Sequence, residues 1–328
     1  MADIRNLKYT LHKYGDHELQ RIGVWTWARP SGAQHSVPGD PYASTTKYWL
    51  VYIHGGIWRD PRKTHLQALP AFSILGGNSG NQARIAGFAS IDYRLSPHPE
   101  FPQDEDTTPP NKLRNAKHPD HLSDVRSALA FLRREYGIGN REVEGETPYV
   151  LYGHSCGATL AMQVIMGGAE DEVGLEGRGE VPPPAGVVGL QGMYDLVGVN
   201  ARFKGAYRDM IAGAFGDDEE VWKSVSPARF KGKFSQTWEG SEKGVVVLAH
   251  SPEDEWVDMA ELDAMEARLK GEKDPAPLHV QAKRDLKGDH DEVAQNGGMV
   301  AGVLIETVGL LDMVAKLTKM TEEMLGLR

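Results

Sequence analysis

The chain has a single cysteine, Cys156, in 328 residues. No intramolecular disulfide can form, which points to a reducing compartment. Basic residues are the minority charge: Lys and Arg total 36 against 46 Asp and Glu, for a formal net charge of −10. Nucleic acid and anionic membrane both demand a basic patch, so neither is expected as a partner. No apolar run reads as long enough to span a bilayer. The start, Met1-Ala2-Asp3-Ile4-Arg5, lacks the apolar stretch of a secretory signal. A soluble, cytoplasmic protein is the expectation. Internal repeats, low-complexity tracts, G-x-G-x-x-G and the phosphate-binding P-loop are also missing. Gly76-Gly77-Asn78-Ser79-Gly80 is a turn cluster without a Lys. His118 and His121 form H-x-x-H but lack the Glu of a helical zinc pair, so no metal is expected.

What remains is the composition of an ordinary globular protein, 40% hydrophobic and 25% charged. Such a chain is long enough to bury a large core without staples. Acidic runs such as Gly216 to Glu220 read as solvated helix starts. Buried strands are predicted at Tyr48–Ile53, Ile85–Tyr93, Tyr149–Tyr152, Val187–Leu190 and Val245–Ala249, with a weaker one at Leu278–Asp285. Helical patterns lie between them, at Asp120–Tyr136, Ala158–Met166 and Asp258–Lys270. A last helix covers Asp291–Leu317, interrupted at Gly297-Gly298. This alternation predicts an α/β fold: one domain over residues 1–328, with a mostly parallel central sheet and helices on both faces. Leu19–Ala28 is expected to add an antiparallel edge strand, and Ser96–Asn115 reads as a long loop. Residues 200–238 form an insertion of short helices and aromatic residues. It suits a lid over a pocket and, equally, a surface excursion with its own small core.

Chemistry concentrates in four places. Gly153-His154-Ser155-Cys156-Gly157 matches G-x-S-x-G, directly after a strand and before a helix. The sharp turn needs small flanking residues, lifts the Ser155 hydroxyl above the sheet edge, and aims the next N–H at a reacting carbonyl oxygen. A plain strand–Gly turn–helix is the bland alternative. Upstream, His54-Gly55-Gly56-Ile57-Trp58 also follows a strand, and such a loop supplies the rest of an oxyanion hole. The N–H groups of Gly56, Ile57 and Cys156 are the assigned donors. His54 reads as a structural histidine holding the loop. Cys156 reads as a small core residue with its side chain turned away.

A serine hydroxyl needs a base, and in this strand–elbow–helix scaffold the chain order is serine, acid, histidine. The acid belongs after a late strand, where Glu253, Asp254, Glu255 and Asp258 compete. Asp254 is chosen, three residues before Val257 at the next helix entry. Asp195 is a rival better read as a turn or cap residue. His290, in a Gly-containing loop before the final helix, is the last histidine in the chain. His250 lies too close to the acid strand and His279 falls inside a strand. The triad expected of this α/β-hydrolase fold is therefore Ser155, Asp254 and His290.

The two motifs together resemble the kynurenine formamidases (arylformamidases), and the stretches His54–Pro61 and Gly153–Leu160 resemble their fungal branch. Asp92–Pro97 and the helix from His118 to Leu132 also resemble it. The similarity spans roughly residues 45 to 320. Esterases of the hormone-sensitive type carry a third glycine where this chain has Ile57. The resemblance implies hydrolysis of N-formyl-L-kynurenine, a small-molecule substrate, to L-kynurenine and formate in tryptophan catabolism. It implies the same triad, without metal or cofactor. An aryl substrate wants aromatic walls, for which Trp58, Tyr194, Trp222 and Trp238 are candidates; all but Trp58 read more readily as core. Its carboxylate wants a cation, and the sequence does not choose among Arg59, Arg94, Arg202 and Arg208. A broad-specificity carboxylesterase and a non-catalytic binding protein on the same scaffold stay open. Oligomeric state is not legible, and a homodimer is left open.

Overall fold

The structure is a computed structural model that describes residues 4, 6–28, 46–139, 143–166, 181–239, 244–272 and 278–324. Among these, β1 (Leu7–Lys13), β2 (Arg21–Trp27), β3 (Tyr48–Ile53), β4 (Ile85–Ile91), β5 (Tyr149–His154), β6 (Gly186–Leu190), β7 (Gly244–Ala249) and β8 (Leu278–Lys283) form one sheet. Its order is β1-β2-β4-β3-β5-β6-β7-β8. All pairings from β4 to β8 are parallel, while β1–β2 and β2–β4 are antiparallel.

Strands β3 and β5 to β7 are buried along their whole length, because both faces of the sheet are covered. Side-chain alternation divides β3 between two cores: Trp49, Val51 and Ile53 enter one, and Tyr48, Leu50 and Tyr52 the other. Helices α1 (Leu69–Gly77) and the last helix, Gly297–Met324, cover the second face. Helices α2 (Asp120–Tyr136), α3 (Cys156–Val164) and Met259–Lys270 cover the first. Each fully buried Val, Leu or Ile contributes about 1.5–3 kcal/mol of hydrophobic stabilisation, so this two-sided burial is the main support of the sheet.

Three expectations are corrected. Leu19–Ala28 does hold an antiparallel strand, β2, but the edge belongs to β1, which forms a hairpin with it. In β1 only Leu7 is buried, so the segment carries no apolar run to betray it. Helix α1 was not foreseen either, since the turn-like Gly76-Gly77 lies at its end. Finally, Gly297–Thr321 is long and apolar enough to cross a membrane by length and composition. Its apolar stripe, including Val300, Leu304, Val308 and Leu311, packs on the sheet instead. Its polar side is tied down through Lys283–Glu306 and by Arg84–Asp312 at 3.0 Å.

In the 200–238 stretch, α4 (Leu196–Arg202), α5 (Arg208–Phe215) and α6 (Glu219–Val225) follow β6. Trp222, Phe234 and Trp238 are buried in the core on that side. The remaining α-helices among the described residues are α7 (Met259–Lys270), α8 (His290–Gln295) and α9 (Gly297–Met324).

Two buried histidines make the fold acid-sensitive. Burial holds His121, in α2, and His154, at the end of β5, down to about 3 each, so both are neutral at pH 7. In the unfolded chain a histidine takes up its proton near pH 6.5. The stability is therefore complete above that pH and is lost as the pH falls towards 3, because the unfolded state binds the extra protons. Each histidine contributes a slope of about 1.4 kcal/mol per pH unit in that window. Denaturant midpoints measured between about pH 7 and pH 5 should drop steadily; a flat profile would contradict the burial of these two rings.

Candidate active site

The position of Ser155 is fixed by close backbone contact. β5 ends at His154, Ser155 has φ 55° and ψ −126°, and α3 begins at Cys156. A Cβ on Gly153 would lie 2.2 Å from the carbonyl of Gly157, and one on Gly157 would lie 2.2 Å from the carbonyl of Ile53. Only glycine fits at either place, so the two glycines permit the turn and leave Ser155 at the floor of a cleft.

The loop after β3 meets this turn. Gly56, Ile57 and Trp58 have φ of 100°, 49° and 60°, a left-handed run that costs about 1–3 kcal/mol for each non-glycine residue. Local bonds hold it. Arg59 and Asp60 donate their N–H groups to the Gly56 carbonyl at 3.0 and 2.9 Å, and the Trp58 N–H donates to Cys156 Sγ at 3.3 Å. Gly56 and Ile57 line the cleft beside Ser155. Underneath, His54 stacks on Tyr93 at 4.5 Å, and its Nδ1 lies 2.7 Å from the Gly55 carbonyl oxygen. It faces Asp92, whose carboxylate also accepts from His65 Nδ1 at 2.8 Å and Arg21 Nε at 2.5 Å. These groups hold the Asp92 carboxyl below its usual range despite its burial. His54 is thus the structural histidine expected.

Opposite the serine, β7 leads into the loop that carries Asp254. Its Oδ1 accepts from the N–H groups of Trp256 and Val257 at 2.9 and 2.8 Å, and its Oδ2 lies 2.7 Å from His290 Nδ1. Burial works against this carboxylate, yet the hydrogen bonds from His290 and the Val257 N–H hold it below the usual carboxylate range. His290 is the first residue of α8, but Asp289 performs the capping through a reciprocal pair with Glu292. The imidazole is therefore left for Asp254. The two loops are tied by the Ser251 hydroxyl, which donates to the Gly288 carbonyl at 2.6 Å. Asp195 caps α4 and binds Arg229 at 2.5 Å, as its reading as a cap residue requires.

One contributor was missed. His154, the variable residue of G-x-S-x-G, is buried, and its Nε2 donates to Gln191 Oε1 at 3.1 Å and to the His290 carbonyl at 3.0 Å. Its ring centroid lies 4.5 Å from that of His290. It thereby joins the serine strand to the histidine helix, a contact across 136 residues with no local sequence signal.

The cleft encloses about 290 Å³ and is lined by both Ser155 and His290. Its apolar wall corrects the expectation for Trp58 and leaves Tyr194, a candidate for that wall, in the core. Trp58 is fully buried, its ring set edge-on against Phe215 at 4.9 Å. The left-handed backbone of the loop turns that side chain down into the core rather than up to the substrate. Tyr194 is also buried, its hydroxyl packed over Gly189 and Gly192, where any Cβ would overlap it. Trp222 and Trp238 lie in the core as well. The wall is built by Met193, Tyr207, Met210 and Trp256, with Tyr207 anchored by a hydrogen bond from its hydroxyl to the Trp256 carbonyl. Tyr207 and Met210 come from the 200–238 stretch.

Burial also decides the role of Cys156. Its thiol is fully buried beneath Trp58 and Tyr93 and is pushed up to about 11. An inert thiol is expected: the native protein should resist iodoacetamide at about pH 8 and become labelled on unfolding. Fast native labelling would show that the sulfur reaches solvent.

No protein-family model matches the chain. Curated relatives do. The chain is 33% identical over 306 residues to a kynurenine formamidase-like hydrolase of Fusarium equiseti, covering 89% of this chain and 90% of that protein. It is 31% identical over 271 residues to a kynurenine formamidase of Aspergillus versicolor, covering 76% and 84%. Among solved structures, esterase B of Lactobacillus rhamnosis aligns with a TM-score of 0.61 over 97% of this chain and 90% of that one, at 14% identity. An esterase of Pseudomonas putida aligns with a TM-score of 0.58 over 95% and 85%, at 16% identity. The fold is thus that of the α/β-hydrolase esterases, and the chain belongs to the kynurenine formamidase family of hydrolases.

Proposed function

We propose that the protein hydrolyses N-formyl-L-kynurenine to L-kynurenine and formate, a step of tryptophan catabolism, by way of a formyl-serine intermediate. The observation that carries this reading is the 2.7 Å contact between His290 Nδ1 and Asp254, in the cleft that Ser155 floors. With its Nδ1 proton committed to Asp254, His290 presents an unprotonated Nε2 to the serine side. Ser155 Oγ attacks the formyl carbon and His290 takes the hydroxyl proton. The N–H groups of Gly56, Ile57 and Cys156 receive the oxyanion, which exists only in the transition state and the adduct, so they act on the rate itself. The C–N bond then breaks, the arylamine leaves with the proton from His290, and Ser155 holds the formyl group as an ester. Water attacks that ester, giving His290 a proton that returns to Ser155 Oγ as formate departs. The names of the curated relatives support formyl as the acyl group transferred. The aromatic and thioether wall of Trp256, Tyr207, Met193 and Met210 supports an aryl leaving group.

Two tests follow. The purified protein should turn over N-formyl-L-kynurenine with a higher kcat/KM than p-nitrophenyl acetate; the reverse order would make it a general esterase. Ser155→Ala or His290→Ala should lower kcat by about a thousandfold or more without loss of the folded state, as checked by circular dichroism. Asp254→Asn should be comparably severe. A mild Asp254→Asn beside a severe Asp195→Asn would overturn the acid assignment.

A further inference from the structure

Three cations line the cleft among the described residues, and two are already neutralised. Arg62 is bidentate on Asp60, at 2.9 and 2.8 Å, and Lys63 Nζ is 2.8 Å from Asp291. Arg59 is different. Its Nε is buried with no hydrogen-bond partner, while the residue as a whole is half-buried. Burial lowers its pKa, and the charges of Asp209 and Glu100 offset this only in part. A guanidinium stays charged in proteins, so its five donors ask for an anion. The other arginines named from sequence are engaged elsewhere: Arg94 on Asp124, Arg202 on Asp258 and Glu261, Arg208 on Glu219.

Arg59 also borders a second cavity of about 420 Å³, and it lines both together with His98 and Pro99. It thus shares the cleft with Ser155 and also borders space outside it. We infer that Arg59 is the specificity residue of this site, binding the carboxylate of an aryl substrate that carries an amino-acid side arm. This deepens the formamidase reading and rests on it. Asp209 lines the second cavity and Glu100 the cleft. An α-ammonium group beside the bound carboxylate would meet these acids, so the subsite has the polarity of a zwitterion.

The test compares wild type with Arg59→Gln on two substrates, N-formyl-L-kynurenine and its uncharged carboxamide. The expected result is a fall of about ten- to a hundredfold in the ratio of kcat/KM for acid over amide, carried by KM on the acid. An unchanged ratio, including an equal loss on both substrates, would overturn the inference and leave Arg59 a structural role. Arg59→Lys should recover part of the ratio, since it restores the charge but not the planar fork. Failure of the formamidase reading has a different signature: wild type hydrolyses p-nitrophenyl acetate but neither formamide. The inference is then read on 3-(4-acetoxyphenyl)propionate against its methyl ester. A wild-type preference for the acid that Arg59→Gln removes supports it, and the lack of one overturns it.

Discussion

The site depends on how closely α3 approaches β3. The missing side chain of Gly157 lets the helix start sit against the carbonyl of Ile53, and the missing side chain of Gly153 lets the strand turn beneath it. That contact forces Ser155 into its left-handed backbone and sets Cys156 against the loop after β3, where its Sγ accepts from the Trp58 N–H. Strain of this kind persists only where the surroundings over-determine it. Here they do so through Cys156 Sγ, the Gly56 carbonyl turns and the buried His54–Asp92 cluster.

The second half of the site is assembled from later strands. Asp254 and His290 arrive on the loops after β7 and β8, adjacent strands whose parallel pairing places both loops at the same edge as the serine turn. His154 adds a direct tie, holding the His290 backbone from the serine side. The imidazole is thereby fixed from two directions, with Asp254 on its ring and His154 on its carbonyl. In the proposed mechanism a base held this way loses little freedom at the moment of reaction.

Much of this was legible in the sequence because it is local. The runs Tyr48–Ile53 and Tyr149–Tyr152 announce buried strands by composition, and helix Asp120–Tyr136 by spacing. Both motifs bring their own glycines. Asp254 and His290, the proposed acid and base, could be singled out because chain order in the scaffold restricts where each can fall. The misreadings share a cause. Trp58 sits in the motif loop beside Ser155, but backbone angles decide which way a side chain points, and it points into the core, where Tyr194 also lies. The true wall, Met193, Tyr207, Met210 and Trp256, gathers from three separate loops and helices without a pattern. The four candidate arginines could not be separated because ion pairs such as Arg202–Glu261 join residues far apart in the chain. β1 escaped notice because an edge strand with one buried residue carries almost no hydrophobic signal.

The central claim is that one hydroxyl, that of Ser155, is the nucleophile of a single functioning site. Peptide mapping by mass spectrometry after treatment with an aryl fluorophosphonate tests it most directly. The account predicts one phosphonyl group per chain, on the peptide bearing Ser155, appearing in step with the loss of hydrolysis. An adduct on any other residue, or full activity in protein whose Ser155 is completely modified, would contradict it.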